Sequence, residues 1–217
     1  MVARRRGLTL VEVALGIALL GVVVVFVLLE LGRKAHEARN IRCRNHLNCL
    51  AKGMATYLGE LGDGRWFPCP LGRGAKPNDF TGAEWIATQY WVRVHPDPDC
   101  YLCPESGDTN HKGRDLGVHG STEGHFGPQT VSYAGLHFYS LTDEAGNPIP
   151  GALRDDFPPD EPFASDDTEG AVNHGTGSRS RINVMFADSH VESRAGSEID
   201  VERAVGQKGG LLWRLRN

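Results

Sequence analysis

The sequence predicts an α+β protein in which one long N-terminal helix packs on a small antiparallel β-sheet with long loops. Three observations carry this. An apolar run of 22 residues extends from Leu8 to Leu29, interrupted only by Thr9 and Glu12. Leu47, Leu50, Ala51, Met54, Tyr57, Leu58 and Leu61 then recur at spacings of three and four, which lines one face of a helix. Late in the chain, Arg181–Ser193 (RINVMFADSHVES) alternates as strands do, with a turn near Asp188-Ser189. The chain's 217 residues hold one membrane segment and one domain of about 150 residues.

The apolar run rises about 1.5 Å per residue as a helix and so crosses a hydrocarbon core about 30 Å thick. Arg4, Arg5 and Arg6 precede it, which predicts a cytoplasmic N-terminus and an exported C-terminal bulk. A cleaved secretory signal fits poorly, because no A-x-A-like site closely follows the run and the run is long for such a signal. Glu12 needs a reason, since an acid within a membrane segment costs roughly 2.5–3.5 kcal/mol.

From Gly32 the pattern becomes amphipathic, and Gly59, Gly62 and Gly64 around Asp63 supply stop signals. One nearly continuous helix from about Leu8 to Gly59 is expected. Residues 65–125 are irregular, although Glu84–His95 (EWIATQYWVRVH), rich in aromatic and β-branched residues, predicts a strand, with a short helical turn before it as a variant. Gln129–Leu141 reads as a strand pair or one interrupted strand, Pro148–Pro162 as a proline- and acid-rich loop, and Leu211–Leu215 as a last edge strand.

Net charge is −4, and the three leader arginines hide part of a mildly acidic surface. Without a basic stripe, no nucleic-acid partner is expected. No nucleophile elbow, HExxH, P-loop or dinucleotide fingerprint is present, so an enzyme is not the expectation.

Five cysteines leave several arrangements open. Cys100-Tyr-Leu-Cys103 lacks the βαβ context of a redox motif. A disulfide joining Cys69 to Cys100 or Cys103, or closing the CxxC itself, is the leading expectation. Zinc would need further ligands from His95, His111, His119 or Cys69. Asp166, Asp167, Asn173, His174, Asp188 and His190 form a second candidate group. Its oxygens suit Ca²⁺ and its histidines a transition metal, while the plain alternative is that these side chains brace loops.

Gly7-Leu8-Thr9-Leu10-Val11-Glu12 before a hydrophobic helix resembles the leader of type IV pilins and type II secretion pseudopilins. The resemblance implies a pilin-like fold and a prepilin peptidase that cuts between Gly7 and Leu8 and methylates the new amine of Leu8. Residues 1–7 become a leader, 8–31 a transmembrane and filament-core helix, 32–62 its amphipathic continuation and 63–217 an extracytoplasmic β-rich domain. Glu12 would meet the terminal amine of a neighbouring subunit, so that two groups costly in lipid offset one another.

The later landmarks Arg44-Asn45-His46-Leu47, Cys103-Pro104-Glu105-Ser106, Ser132-Tyr133, Asn173-His174-Gly175 and Asn183–Val191 resemble a pilin-like family named for a prepilin-processing-associated H-X9-DG motif. Here 13 residues separate His174 from Asp188, and Ser189 replaces the glycine, so the turn loses the residue for which φ > 0 is easy. Together the resemblances imply a structural subunit of a pilus or pseudopilus in a bacterial cytoplasmic membrane, with a periplasmic or extracellular domain. Its partners would be the peptidase, other pilin or pseudopilin subunits and the lipid bilayer. The competing expectation is a single-pass anchored metal-binding module or enzyme.

Overall fold

The computed structural model describes residues 9–64, 66–70, 80–117, 126–136, 155, 157–166, 173–175, 177–199, 210–213 and 215–216. Gly7, Leu8, Asp167 and His119 lie outside them. The chain falls into two compact units, Met1–Ala38 and Arg39–Asn217.

Helix α1 runs Leu10–Glu60, close to its expected bounds. In the first unit its large apolar side chains from Leu10 to Leu31 are between 48% and 86% exposed. Among the described residues it is the one helix long and apolar enough to cross a membrane. In the second unit the same helix buries Cys43, Leu47, Leu50, Ala51, Gly53 and Met54, the stripe expected from the three-and-four spacing. Leu61, at the end of that stripe, is instead 52% exposed.

Helix α2, Gly82–Trp91, occupies much of the segment read as a strand. Its start is fixed by a capping box: the Thr81 hydroxyl accepts from the Glu84 N–H at 3.2 Å, and the Glu84 carboxylate accepts from the Thr81 N–H at 2.7 Å. Those bonds satisfy amides that have no partner inside the helix. The aromatic and β-branched residues that suggested a strand serve burial instead, and Trp85 and Ile86 are at most 1% exposed.

Five antiparallel strands form one sheet in the order β4-β3-β2-β1-β5: β1 Ala134–Leu136, β2 Pro162–Ser165, β3 Arg181–Phe186, β4 Val191–Ala195 and β5 Leu215–Arg216. The β3–β4 hairpin matches the sequence reading, whereas the expected strand Leu211–Leu215 is a turn over residues 211–213, with the edge strand β5 following at Leu215–Arg216. Strand β2 begins at the proline that ended the expected loop, and the described part of the Gln129–Leu141 segment, residues 129–136, holds the end of a 3-10 turn at Pro128–Thr130 and strand β1.

Gly135, Ala164 and Met185 lie in register across β1, β2 and β3 and therefore share a face. A Cβ on Gly135 would come within 2.4 Å of the Gly82 carbonyl oxygen, so only glycine lets α2 sit on this face. Asn183, two residues before Met185, donates from Nδ2 to Oδ1 of Asn40 on α1 at 2.7 Å, which brings α1 to the same face. Phe163 anchors the core through edge-on contacts to Phe67, Trp85 and Phe157 at 5.0–5.6 Å.

Candidate functional site

Two places in the described chain carry chemistry that packing does not require. The first is the start of α1. Glu12 accepts from the Thr9 N–H at 2.8 Å and the Thr9 hydroxyl at 3.0 Å, while Thr9 Oγ1 accepts from the Glu12 N–H at 3.3 Å. The carboxylate thus closes a capping box on its own helix, at the end where the helix dipole favours negative charge. Gly7 and Leu8, the residues expected to flank a cleavage, lie outside the described residues.

The second lies where α1, the CxxC segment, β2 and β3 meet. The CxxC is fastened to α1 along its length. The His46 ring nitrogen Nδ1 bonds the Leu102 carbonyl at 2.9 Å, and Arg39 pairs with Glu105. Cys100 sits in a 3-10 turn over Pro98–Tyr101, followed by extended Leu102. This backbone sends the two cysteines to different partners. Cys103 meets Cys43 and His174, and Cys100 meets Cys49 and His95, with the ligand atoms of each trio within 4.8 Å of one another.

Among the described residues no disulfide joins Cys69, Cys100 or Cys103, contrary to the leading sequence expectation. The physical reason is that α1 presents Cys43 and Cys49 about 9 Å apart along its axis, matching the two ends of the CxxC.

The Cys43 trio is completed by Asp166 at the end of β2. His174 Nε2 lies 3.0 Å from Asp166 Oδ2 and 3.3 Å from Cys103 Sγ, while Cys43 Sγ lies 3.3 Å from Asp166 Oδ2. Asn183 holds the carboxylate in place, donating from its backbone N–H to Oδ1 at 2.8 Å and from Nδ2 to Oδ2 at 2.5 Å. The Tyr133 hydroxyl stands 3.5 Å from Cys43 Sγ and donates to the Leu102 carbonyl at 3.2 Å.

All of these side chains are inaccessible, with Cys43, Tyr133 and Asn183 at 0%, Asp166 at 1%, Cys103 at 2% and His174 at 3% exposure. The Cys43 bond draws the Cys103 thiol down to about 6 against the opposing effect of burial, and His174 and the Glu105 N–H act in the same direction. Burial works against a charge on His174, yet its bonds to Asp166 and Cys103 and their negative charges raise it to about 10. Burial, reinforced by Cys103 and Asp166, pushes Cys43 well up. The cluster therefore packs two sulfurs, an imidazole and a carboxyl group in mutual contact, too deep for a macromolecular substrate to reach.

Of the expected Asp/His group, the structure brings together Asp166, His174 and Asn173, whose Nδ2 donates to the Asp166 carbonyl at 2.7 Å. Asp188 and His190 pair instead in the exposed β3–β4 turn. Asp166 aligns with Asn183, five residues before Asp188 on β3, so roughly 15 Å of strand separates the two pairs. Among the described residues, the Asp188–His190 pair therefore stands apart from Asp166, Asn173 and His174.

Cys43, Tyr133 and Asn183 escaped the sequence reading as site residues. Tyr133 and Asn183 stand there only as landmarks of the resemblance, and Cys43 only by its place four residues before Leu47 on the helix stripe. Compared with family models, curated proteins and solved structures, the chain finds no match.

Proposed function

We propose that the chain is a structural subunit of a type IV pilus or type II secretion-like pseudopilus, inserted in the cytoplasmic membrane, cut after Gly7 by a prepilin peptidase and assembled through its N-terminal helix. The observation that carries this reading is the first part of α1, a continuous apolar surface from Leu10 to Leu31 left exposed in the single chain, with Glu12 as its acid in the first turn. Apolar patches of that extent on a soluble monomer mark a lipid or protein interface. In lipid, helices gain nothing from apolar surface alone and need polar contacts to fix their register. Glu12 supplies one, because its carboxylate, held at the helix start by Thr9, can meet the terminal amine of a neighbouring subunit.

Mass spectrometry of the protein from its native membrane is the test. An N-methylated Leu8 terminus is expected, and an intact Met1 or a cut beyond residue 30 overturns the reading. Assembly is tested with two variants. Glu12→Gln keeps an acceptor for the Thr9 N–H but not the charge, and Glu12→Ala removes both. An uncompensated charge in lipid costs roughly 2.5–3.5 kcal/mol, so filament incorporation should fall ~100-fold in both variants while membrane insertion persists. Normal incorporation of Glu12→Gln would show that Glu12 acts as a helix cap.

A further inference from the structure

We propose that Cys43, Cys103 and His174, with the Asp166 carboxyl against two of them as the fourth donor, form a site for zinc(II) or a divalent ion of the same borderline-soft class. The donor set is two sulfurs, one imidazole nitrogen and one carboxylate oxygen, the ligand types zinc takes in closed structural sites. Such a set selects against calcium and magnesium, which need oxygens. Zinc bonds of about 2.3 Å to sulfur and about 2.0–2.2 Å to nitrogen or oxygen place neighbouring ligands of a tetrahedron about 3.3–3.8 Å apart, the longest edge being sulfur to sulfur. The contacts His174 Nε2–Cys103 Sγ at 3.3 Å, Cys43 Sγ–Asp166 Oδ2 at 3.3 Å and His174 Nε2–Asp166 Oδ2 at 3.0 Å match such edges within a few tenths of an ångström.

The surroundings are built as an outer shell. Asn183 orients Asp166 with two bonds, the Tyr133 hydroxyl faces Cys43, and the Ser106 N–H and hydroxyl hold the Cys103 carbonyl at 3.1 and 2.9 Å. Groups in such positions orient ligands and raise metal affinity. The ligands come from α1, the CxxC segment, the end of β2 and the approach to β3. One ion therefore clamps α1, the CxxC segment and the β2–β3 connection, three parts of the second unit far apart in sequence, and its binding energy adds to folding. This site is independent of processing and assembly at the N-terminus.

The test uses the full chain in detergent under reducing conditions, with Cys49→Ser and Cys100→Ser in the background so that the other trio is disabled. Cobalt(II) serves as the probe. One equivalent should bind with thiolate-to-metal charge-transfer absorption and the visible bands of a tetrahedral ion, and zinc should displace it. Adding Cys103→Ser or His174→Ala should abolish those bands, and Asp166→Asn should weaken binding at least tenfold. A spectrum lacking thiolate charge transfer, or no binding, overturns the proposal.

A second measurement is independent of any variant's folding. In the unmodified chain, zinc should raise the denaturant concentration at which Cys43 and Cys103 become alkylated, and a chelator should reverse this. Alkylation unaffected by zinc, or a Cys43–Cys103 disulfide mapped in protein from the native membrane with thiols trapped at lysis, defeats the proposal.

Discussion

Asp166–His174 and Asp188–His190 join the same two side chains in opposite surroundings. The first pair is 0% and 3% exposed, the second 45% and 42%. The first is assembled from β2 and the approach to β3 and is ringed by Cys43, Cys103 and Asn183. The second is local: Asp188 Oδ1 accepts from the His190 N–H at 3.1 Å within one turn, and the His190 ring stacks on Phe186 at 4.3 Å. A solvated pair gives back in lost hydration and side-chain freedom most of what it gains. A buried pair has already lost its hydration, so removing either member strands a charge. The energetic difference between the two pairs therefore lies in where they sit.

The largest effect expected from this contrast is at Asp166. Asp166→Ala removes the partner of His174, Cys43 and Asn183 together, and loss of one member of a buried pair costs roughly 3–5 kcal/mol. Denaturant unfolding of the full chain in detergent, followed by Trp fluorescence, reads this. A loss below about 1 kcal/mol would mean that the cluster is not held by its carboxylate. Tyr133→Phe tests the rim of the same cluster. The phenol loses its bonds to Leu102 and Cys43 without opening a cavity, so about 1 kcal/mol should go. At the hairpin, Asp188→Asn keeps an acceptor for the His190 N–H and should leave the unfolding midpoint where it was. A clear drop there would erase the contrast.

The same contrast explains what the sequence could reveal. The β3–β4 hairpin was legible because Ile182, Val184 and Phe186 alternate and the turn residues are adjacent. Helix α1 was legible because its stripe repeats within each turn. Helix α2 was misread because Trp85, Ile86, Tyr90 and Trp91 favour strands on average, while the decisive signal was the capping box Thr81-x-x-Glu84. Strand β2 hid behind Pro162, which an initial strand position tolerates. The buried cluster draws residues from positions 43, 103, 133, 166, 174 and 183, and no local period connects such distances. His174 and Asp166 could be listed as candidates, but their separation from Asp188 and His190 depends on which end of β3 each pair occupies.

The smallest expected effect concerns Ser189, which stands where the H-X9-DG pattern would have glycine. It adopts φ 72, the left-handed region that an L-residue enters at a cost of roughly 1–2 kcal/mol. The Ser189 N–H still bonds the Phe186 carbonyl at 2.9 Å, so the turn keeps its geometry despite the substitution. Ser189→Gly removes the steric cost but adds roughly 0.5–1 kcal/mol of chain entropy in the unfolded state. The two nearly cancel, leaving a gain of about 0.5 kcal/mol to be read as a small rise in the unfolding midpoint. Ser189→Val retains the cost and adds a branched Cβ, and should lower it. If Ser189→Gly were destabilising by more than about 1 kcal/mol, the Ser189 side chain would be contributing something beyond backbone shape. The expected ordering, with Gly above Ser above Val and Asp188→Asn unchanged, would place the hairpin's share of stability in its turn backbone and leave the ion-pair contribution to the buried pair.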